Sequence, residues 1–553
     1  MYKQVLDPVG GSLGWSSLLA VLPLVTLFVL LGGFKMRAWL ASLISLAVAM
    51  IVAIAVYSMP VGQSMDSAAE GAVFGFFPIM WIVINAIWIY NMTRDTGHFA
   101  VLRRSFSAVS SDERVQAVII AFSFGALLEA LAGFGTPVAI CSVMLIALGF
   151  KPIKGATVAL VANTAPVAFG AIAIPIVTLS QVTGLPKHDL GAMVGRQTPF
   201  VALLVPFILI GIVDGRRGLR QAWPAALVGG VTFGVLQFAT SNYISVELTD
   251  IVASLGSAAA IVALMQVWQP AEPTTGRFAG PRPAIAGASV HSPALERDVA
   301  RRERSGGSPG EVLVAYAPYV IIIAVFAIAQ IGAVSNALDS VTKQFAWPGL
   351  HVLNGKGEAP KSVAFKFDWL KAAGTLLLIS GLITMPVLRV GILRALRIYG
   401  QTLVQLKSAI VTVMAVLALA YVMNLSGETI TLGTWAAGAG SFFAFLSPLL
   451  GWLGTAVTGS DTSSNSLFGL LQVTAAKHAG LSSTLMAASN SSGGVLAKMV
   501  SPQNLAIGAA AVGMAGKEGE LFRRVIGWSL LMILLMCCLA LLQSTGALSW
   551  MVP

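Results

Sequence analysis

Apolar residues in this chain neither alternate with the period of a strand nor mark one face of a surface helix; they run on for about twenty residues at a time. "SSLLAVLPLVTLFVLLGG" (16–33), "AWLASLISLAVAMIVAIAVY" (38–57) and "WSLLMILLMCCLALLQ" (528–543) are three such runs. At about 1.5 Å per residue, a helix of this length crosses roughly 30 Å of hydrocarbon. The pattern recurs from end to end, which predicts an all-α, polytopic membrane protein with no large soluble domain. The first run is too long for a signal-peptide core and reads as the first spanning helix.

The polar stretches between the runs fall into two kinds. Lys35/Arg37, Arg94/Arg103/Arg104/Arg114, Lys151/Lys154, Arg216/Arg217/Arg220, Arg277 to Arg304, Arg389/Arg394/Arg397 and Lys517/Arg523/Arg524 mark cytoplasmic loops. Stretches 59–70, 242–250 and 425–440 carry no Lys or Arg and belong outside. The alternation holds if 115–150 is a hairpin that turns at "AGFGTP" (132–137) and returns to the cytoplasm. It also makes 441–480 a second hairpin, entered from outside, with its tip at "TGSDTSSN" (458–465).

A weak internal repeat agrees. "INAIWIYNMTRDTG" (84–97) resembles "AVLALAYVMNLSG" (415–427), and a hairpin follows each. After each hairpin comes an apolar helix interrupted at an asparagine motif, "VANTAPVAFGAIAIPI" (161–176) and "AASNSSGGVLAKMVSPQ" (487–503). Asn163 stands as far from Pro175 as Asn490 does from Pro502. The expected fold is about twelve transmembrane helices plus two re-entrant hairpins, arranged as inverted repeats with two broken helices. Residues 1–222 form the first repeat (spans one to five with hairpin 115–150), and 223–310 the linking helices and a cytoplasmic linker. Residues 311–553 form the second repeat (spans eight to twelve with hairpin 441–480), and both termini are extracytoplasmic. Segment 270–310, rich in Pro, Gly and Arg, reads as a flexible linker. Segment 334–366 reads as an extracytoplasmic loop whose Lys343, Lys356, Lys361 and Lys366 depart from the charge rule, as long loops do.

Composition narrows the function. Only 10% of the 553 residues are charged, against roughly 25% in soluble domains. The net charge of +11 resides in loops between spans, which excludes nucleic acid as a partner and leaves the lipid bilayer. Cys141, Cys537 and Cys538 lie in apolar segments without metal-ligand spacing, and the five histidines fall in loops or at helix ends. There is no phosphate loop and no H-E-x-x-H helix, and the formal G-x-S-x-G at 306–310 lies in the linker. No cofactor and no enzyme activity are expected.

Irregular backbone at membrane depth is tolerated where it lines a cavity, and paired discontinuous helices point to a transporter's midplane site. Gly133, Gly135 and Thr136 in the first tip, and Ser460, Thr462, Ser463, Ser464 and Asn465 in the second, offer hydroxyls and backbone N–H groups at half-helix N-termini, which attract anions. Close helix packing accounts for the same small residues. Asn163, Thr164, Asn490, Ser491 and Ser492 are placed at the helix breaks, as ligands or as replacements for lost backbone bonds. Three intramembrane ionisable residues stand out. Glu129 and Asp461 are suited to taking up and releasing a proton, and Lys498 to holding an anionic substrate or neutralising an acid. Trp81 and Trp88 read as packing or interfacial aromatics, and Arg196 and Gln197 as an interfacial anchor or an outer vestibule.

"GALLEALAGFGTPVAI", "GFKPIKGATVALVANTAPVAFGAIAIPI", "QVTGLPKHDLGAMVGRQTPF", "FKFDWLKAAGT", "LSPLLGWLGTAVTGSDTSSNSLFGLLQ" and "KMVSPQNLAIGAAAVGMAGKE" resemble the bacterial L-lactate permease family over nearly the whole chain, linker 270–310 and loop 334–360 excepted. The resemblance implies uptake of L-lactate, with D-lactate and glycolate, by proton symport across the bacterial inner membrane. It further implies kinship with the ion transporter superfamily, whose members move a transport domain against a scaffold like an elevator, often as homodimers. The matching residues it carries over are Glu129, Gly133, Gly135, Asn163, Thr164, Asp461, Thr462, Ser463, Ser464, Asn465, Asn490 and Lys498. Sodium-coupled carboxylate transport and an integral-membrane enzyme are the alternatives.

Overall fold

The computed structural model describes residues 1–107, 109–110, 112–133, 135–272, 309–355, 357–360 and 363–553. Linker residues 273–308, with Arg277, His291 and Arg304, and the loop lysines Lys356 and Lys361 lie outside them. In chain order the main helices are α1 (Leu13–Gly33), α2 (Ala38–Ala55), α3 (Val61–Asp95) and α4 (Glu113–Leu131). Then follow α5 (Thr136–Ala147), α6 (Pro152–Ala162), α7 (Gly170–Thr183), α8 (Lys187–Tyr243) and α9 (Thr249–Val267). The second half holds α10 (Gly310–Ala329), α11 (Ala373–Val387), α12 (Ile392–Ser426), α13 (Phe443–Thr458), α14 (Asp461–Ala479), α15 (Ser483–Ala497), α16 (Pro502–Ala511) and α17 (Glu518–Gln543). Among the described residues ten helices are long and apolar enough to cross a membrane, and eleven if the bent pair α6–α7 is one span. The chain is a mostly helical, multi-pass membrane protein.

The lipid-facing surface follows from helical spacing. In α17, Val525, Ser529, Met532, Met536 and Ala540 recur every three or four residues and are buried. Leu530, Leu531, Leu534 and Leu535 on the opposite side are about half exposed. A helix apolar all round can bury one stripe in protein and leave the rest to lipid.

Polar contacts gather the loops into two groups. Strand β1 (Tyr2–Lys3) pairs in parallel with β3 (Val352–Leu353), and β2 (Lys343–Ala346) pairs with β4 (Ala364–Phe367). Gln63 donates to the Gly349 carbonyl at 2.6 Å, and the Tyr2 hydroxyl to the Ser426 carbonyl at 2.7 Å. The chain start, the head of α3, loop 334–366 and the end of α12 thus share one end of the molecule. At the other end Arg394 binds Asp95 at 2.7 Å and Lys154 donates to the Val213 carbonyl at 2.7 Å. There Arg114 is wholly buried, its guanidinium shared among Asp112, Asp214, Gln221 and the Glu272 carbonyl. The division matches the charge alternation of the sequence.

Two segments expected as outer loops are mostly helical. Helix restarts at Val61, directly after Pro60, and at Glu428, directly after Gly427 with its positive φ of 102°. Missing Lys and Arg report the side of a connection and carry no information on its length. Arg196 and Gln197 are also corrected: both lie inside α8. Gln197 is fully buried and donates to Ser489 and Gln543, so it is not an interfacial anchor, while the half-buried Arg196 holds Asn242 and the Met551 carbonyl. Trp88 packs edge-on to Tyr399 and donates to the Ala395 carbonyl, a packing role as expected.

Candidate functional site

Two helical hairpins face each other. In the first, α4 and α5 turn at Gly133 (φ 35°, ψ −148°) and Gly135 (φ 81°), left-handed conformations that glycine adopts without a Cβ clash. The Cys141 thiol reaches the Ile120 carbonyl across the arms at 3.3 Å. In the second, α13 ends at Gly459 (φ 76°) and α14 starts under an N-cap from Ser460, which accepts from the Ser463 N–H. Ser464 ties the arms by donating to the Gly451 carbonyl at 2.9 Å.

Two helix breaks lie beside the hairpins. Between α6 and α7 the axis bends by 64°. Ala171, Ile172 and Ala173 there hold positive φ of 45–59°, a left-handed turn that only surrounding contacts sustain. The second break is displaced from its expected place. Asn490, Ser491 and Ser492 sit inside the regular helix α15, and the interruption comes at Lys498–Val500, before α16 opens on Ser501 and Pro502. Asn163 caps α6 at a break and Asn490 does not, so the shared asparagine–proline spacing has no common geometry. The physical reason is local: Ser501 is an N-cap and Pro502 occupies the first helical turn, which fixes a helix start rather than a kink at Asn490.

Tips and breaks converge on a cavity of about 1060 Å³. Glu129, Gly133, Thr136, Ser460, Asp461, Thr462, Ser463 and Lys498 line it; Gly170 and Pro175 from α7 and Pro502 and Gln503 from α16 complete that wall. The opposite wall is Lys35, Arg37 and Trp39 near the α1–α2 connection, with Gln405, Ser408 and Thr412 forming a polar stripe on α12. Glu518 and Phe522 of α17 also contribute, so the cavity reaches the basic end of the molecule.

Glu129 and Lys498 form a buried ion pair between Oε1 and Nζ. The other Glu129 oxygen accepts from Asn163 Nδ2 at 2.9 Å. Gly170 makes room for the carboxylate, since a Cβ there would stand 3.0 Å from Oε1. The Lys498 carbonyl, exposed by the helix break, accepts from Ser501 Oγ and Asn504 Nδ2, both at 2.9 Å. Asp461 is held by neutral donors: Ser491 Oγ at 2.6 Å and Asn465 Nδ2 at 3.3 Å, both to Oδ2. Behind them Gln472 donates to Asn490, and Asn490 to Asn465, which also donates to the Pro175 carbonyl at 3.1 Å.

The residues singled out in the sequence therefore divide. Ser464, Asn465, Asn490 and Ser491 spend their polar atoms on the protein, Thr164 back-bonds to the Val161 carbonyl, and none of these lines the cavity. Gly135 packs against Asn504 and Ile507, and Ser492 is buried without a hydrogen-bond partner among the described residues. Missing from the sequence reading were Gln472, Asn504 and Gly170, and the α12 stripe. "SPQN" carried a legible N-cap signal for the second break; the Gly170 contact left no trace in sequence. Because Ser491 is the shortest bond to Asp461, Ser491→Ala is expected to lower stability by about 1–3 kcal/mol, read as a drop in the melting temperature of the detergent-purified protein.

The description "L-lactate permease" belongs to the family model that matches residues 16–545. A glycolate permease of Escherichia coli K12 is 41% identical over 98% of both chains. L-lactate permeases of Bacillus subtilis 168 and E. coli K12 are 40% and 39% identical over the full length of both chains. Among solved structures, Neisseria gonorrhoeae MtrF, of a class of antimetabolite efflux pumps, is similar at a TM-score of 0.47 and 13% identity, over 87% of this chain and 84% of its own. The Alcanivorax borkumensis YdaH transporter aligns at a TM-score of 0.41 and 14% identity, over 85% of this chain and 86% of its own. Permeases move solutes without altering them, which removes the membrane-enzyme alternative. By the extent of the match and the identity to these relatives, the chain belongs to the L-lactate permease family.

Proposed function

We propose that the protein takes up L-lactate, and with it D-lactate and glycolate, by proton symport across the bacterial inner membrane. The observation that carries this is the buried Glu129–Lys498 pair on the cavity wall. Protonation of Glu129 removes the counter-ion of Lys498, and the uncovered ammonium then holds the substrate carboxylate. Each binding event favours the other, as linked sites require. A lactate anion with one proton carries no net charge, so the inside-negative potential does not oppose entry. On the hairpin side of the cavity, Ser460, Thr462, Ser463 and Thr136 offer hydroxyls for the 2-hydroxyl and carboxylate oxygens. Asp461 is the second acid on the cavity wall, which it shares with Lys498.

Both hairpins and both broken helices belong, on this proposal, to one transport body, with α1–α2 and α12 as its scaffold across the cavity. The hairpins are re-entrant, the halves 1–222 and 311–553 are inverted repeats within a twelve-span topology, and the body moves as an elevator in a homodimer. With Lys35, Arg37 and Glu518 at the mouth, the cavity faces the cytoplasm. Purified protein in sodium-free proteoliposomes tests the coupling: an inward lactate gradient is expected to acidify the lumen, with glycolate and D-lactate acting likewise and acetate weakly. A lumen that stays at constant pH, or flux that needs sodium, overturns it.

A further inference from the structure

Behind the cavity wall lies a carboxyl group with no assigned task. Asp250, in the first turn of α9, is fully buried. Its Oδ1 accepts from Gln237 Nε2 at 3.2 Å, while Oδ2 has no hydrogen-bond partner among the described residues. Burying an acid oxygen without a partner is costly, so the group is held there against a penalty.

Its height relative to Glu129 follows from helix contacts. Val118 of α4 and Ile261 of α9 meet at Gly229, and further along Ser123 and Ser257 pair at 3.0 Å. Numbering thus rises on α4 as it falls on α9. From the serine pair it is ~9 Å up α4 to Glu129 and ~10 Å along α9 to Asp250, at about 1.5 Å per residue. The two acids stand level on packed helices. Gln237 also donates to the Ala165 carbonyl in the α6–α7 break at 3.4 Å, and Asn163 at the head of that break donates to Glu129. Asp250, Gln237, the broken helix and Glu129 therefore form one connected set. In the loop before α9, Glu247 is already engaged by Lys187 and Ser245. Asp250 does not line the cavity.

We propose that Asp250 is a second proton-carrying group, which exchanges a proton with Glu129 behind the substrate cavity. This rests on the symport function proposed above. The O–H bond breaks at one carboxyl and forms at the other, directly or across a water. The total charge of the two acids is unchanged, and no electrons move. The proton then reaches Glu129 from the outer end of α9, while the anion uses the cavity.

Proteoliposomes offer two readouts that separate the proton from the anion. Lactate–lactate exchange requires no net proton movement; accumulation driven by an imposed pH gradient does. In Asp250→Asn the ratio of exchange to pH-driven accumulation is expected to rise by about tenfold or more, in line with loss of a proton-transfer group. Exchange also reports that the variant is folded, and Asp250→Ser, read the same two ways, serves if the Asn variant yields no folded protein. An unchanged ratio overturns the proposal, whether both activities persist or both fall together. The wild-type arm keeps the two inferences apart: lactate flux without protons in wild type overturns the symport function itself.

Discussion

Glu129→Gln is expected to abolish pH-driven lactate accumulation, by about a hundredfold or more, as removal of a general acid–base group does. The substitution keeps the shape of the side chain and one acceptor for Asn163 Nδ2, which now lies 2.9 Å from Oε2. It removes the charge that faces Lys498, and the amide cannot take up the proton. Breaking a buried pair by deleting one partner leaves an uncompensated charge and costs about 3–5 kcal/mol. The single variant should therefore melt well below wild type. Glu129→Gln with Lys498→Gln together should recover much of that stability, since contacting residues couple rather than add, and yet fail to accumulate lactate. Thermal melting and proteoliposome accumulation on the same three preparations check both halves. Full accumulation by Glu129→Gln would remove Glu129 from the proton path.

Much of this arrangement was legible in the sequence because its signals were backbone signals. The glycines flanking Phe134 mark one turn and the charge alternation of the loops places the other at "TGSDTSSN" (458–465), and helical hairpins stand at both. Asn163 at the head of a Pro- and Gly-containing stretch announced a break, and the axis bends there by 64°. What escaped was side-chain pairing across large sequence separation. Nothing local in "LLEALAG" or "VLAKMVS" says that Glu129 and Lys498 meet, though both were flagged for their charge. Glu70, Asp250 and Glu428 were missed for a different reason: each lies in a stretch without Lys or Arg that reads as an outer loop, where an acid is solvated and unremarked. The structure folds all three stretches mostly into helix or packed ends and buries the acids completely. Asparagine was over-read. At Asn163 it caps a break, while at Asn490 it serves a hydrogen-bond chain from Gln472 to Asn465 inside an intact helix.

Gly451→Ala is expected to remove most folded protein from the membrane, because α13 and α15 touch backbone to backbone at that point. A Cβ on Gly451 would stand 1.8 Å from the Asn490 carbonyl oxygen and 2.9 Å from the Asn490 Cα. One turn of contact away, a Cβ on Gly493 would fall 2.1 Å from the Pro448 carbonyl oxygen. Small residues that let helix backbones approach are the usual basis of packing in a bilayer, where no hydrophobic drive holds helices together. The obstacle is main chain, which no rotamer change relieves, so α15 must shift. Overpacking of this kind costs about 1–3 kcal/mol or more. The shift would also carry Asn490 and Ser491, and with them two supports of Asp461. Gly527→Ala in α17, where an added Cβ meets nothing within 4 Å, is the matched control and should fold like wild type. Monodisperse yield from membranes, compared at equal expression, reads the difference. A Gly451→Ala protein recovered at the level of Gly527→Ala would mean that α13 and α15 do not depend on this backbone contact, and that Asp461 is not held from behind by α15.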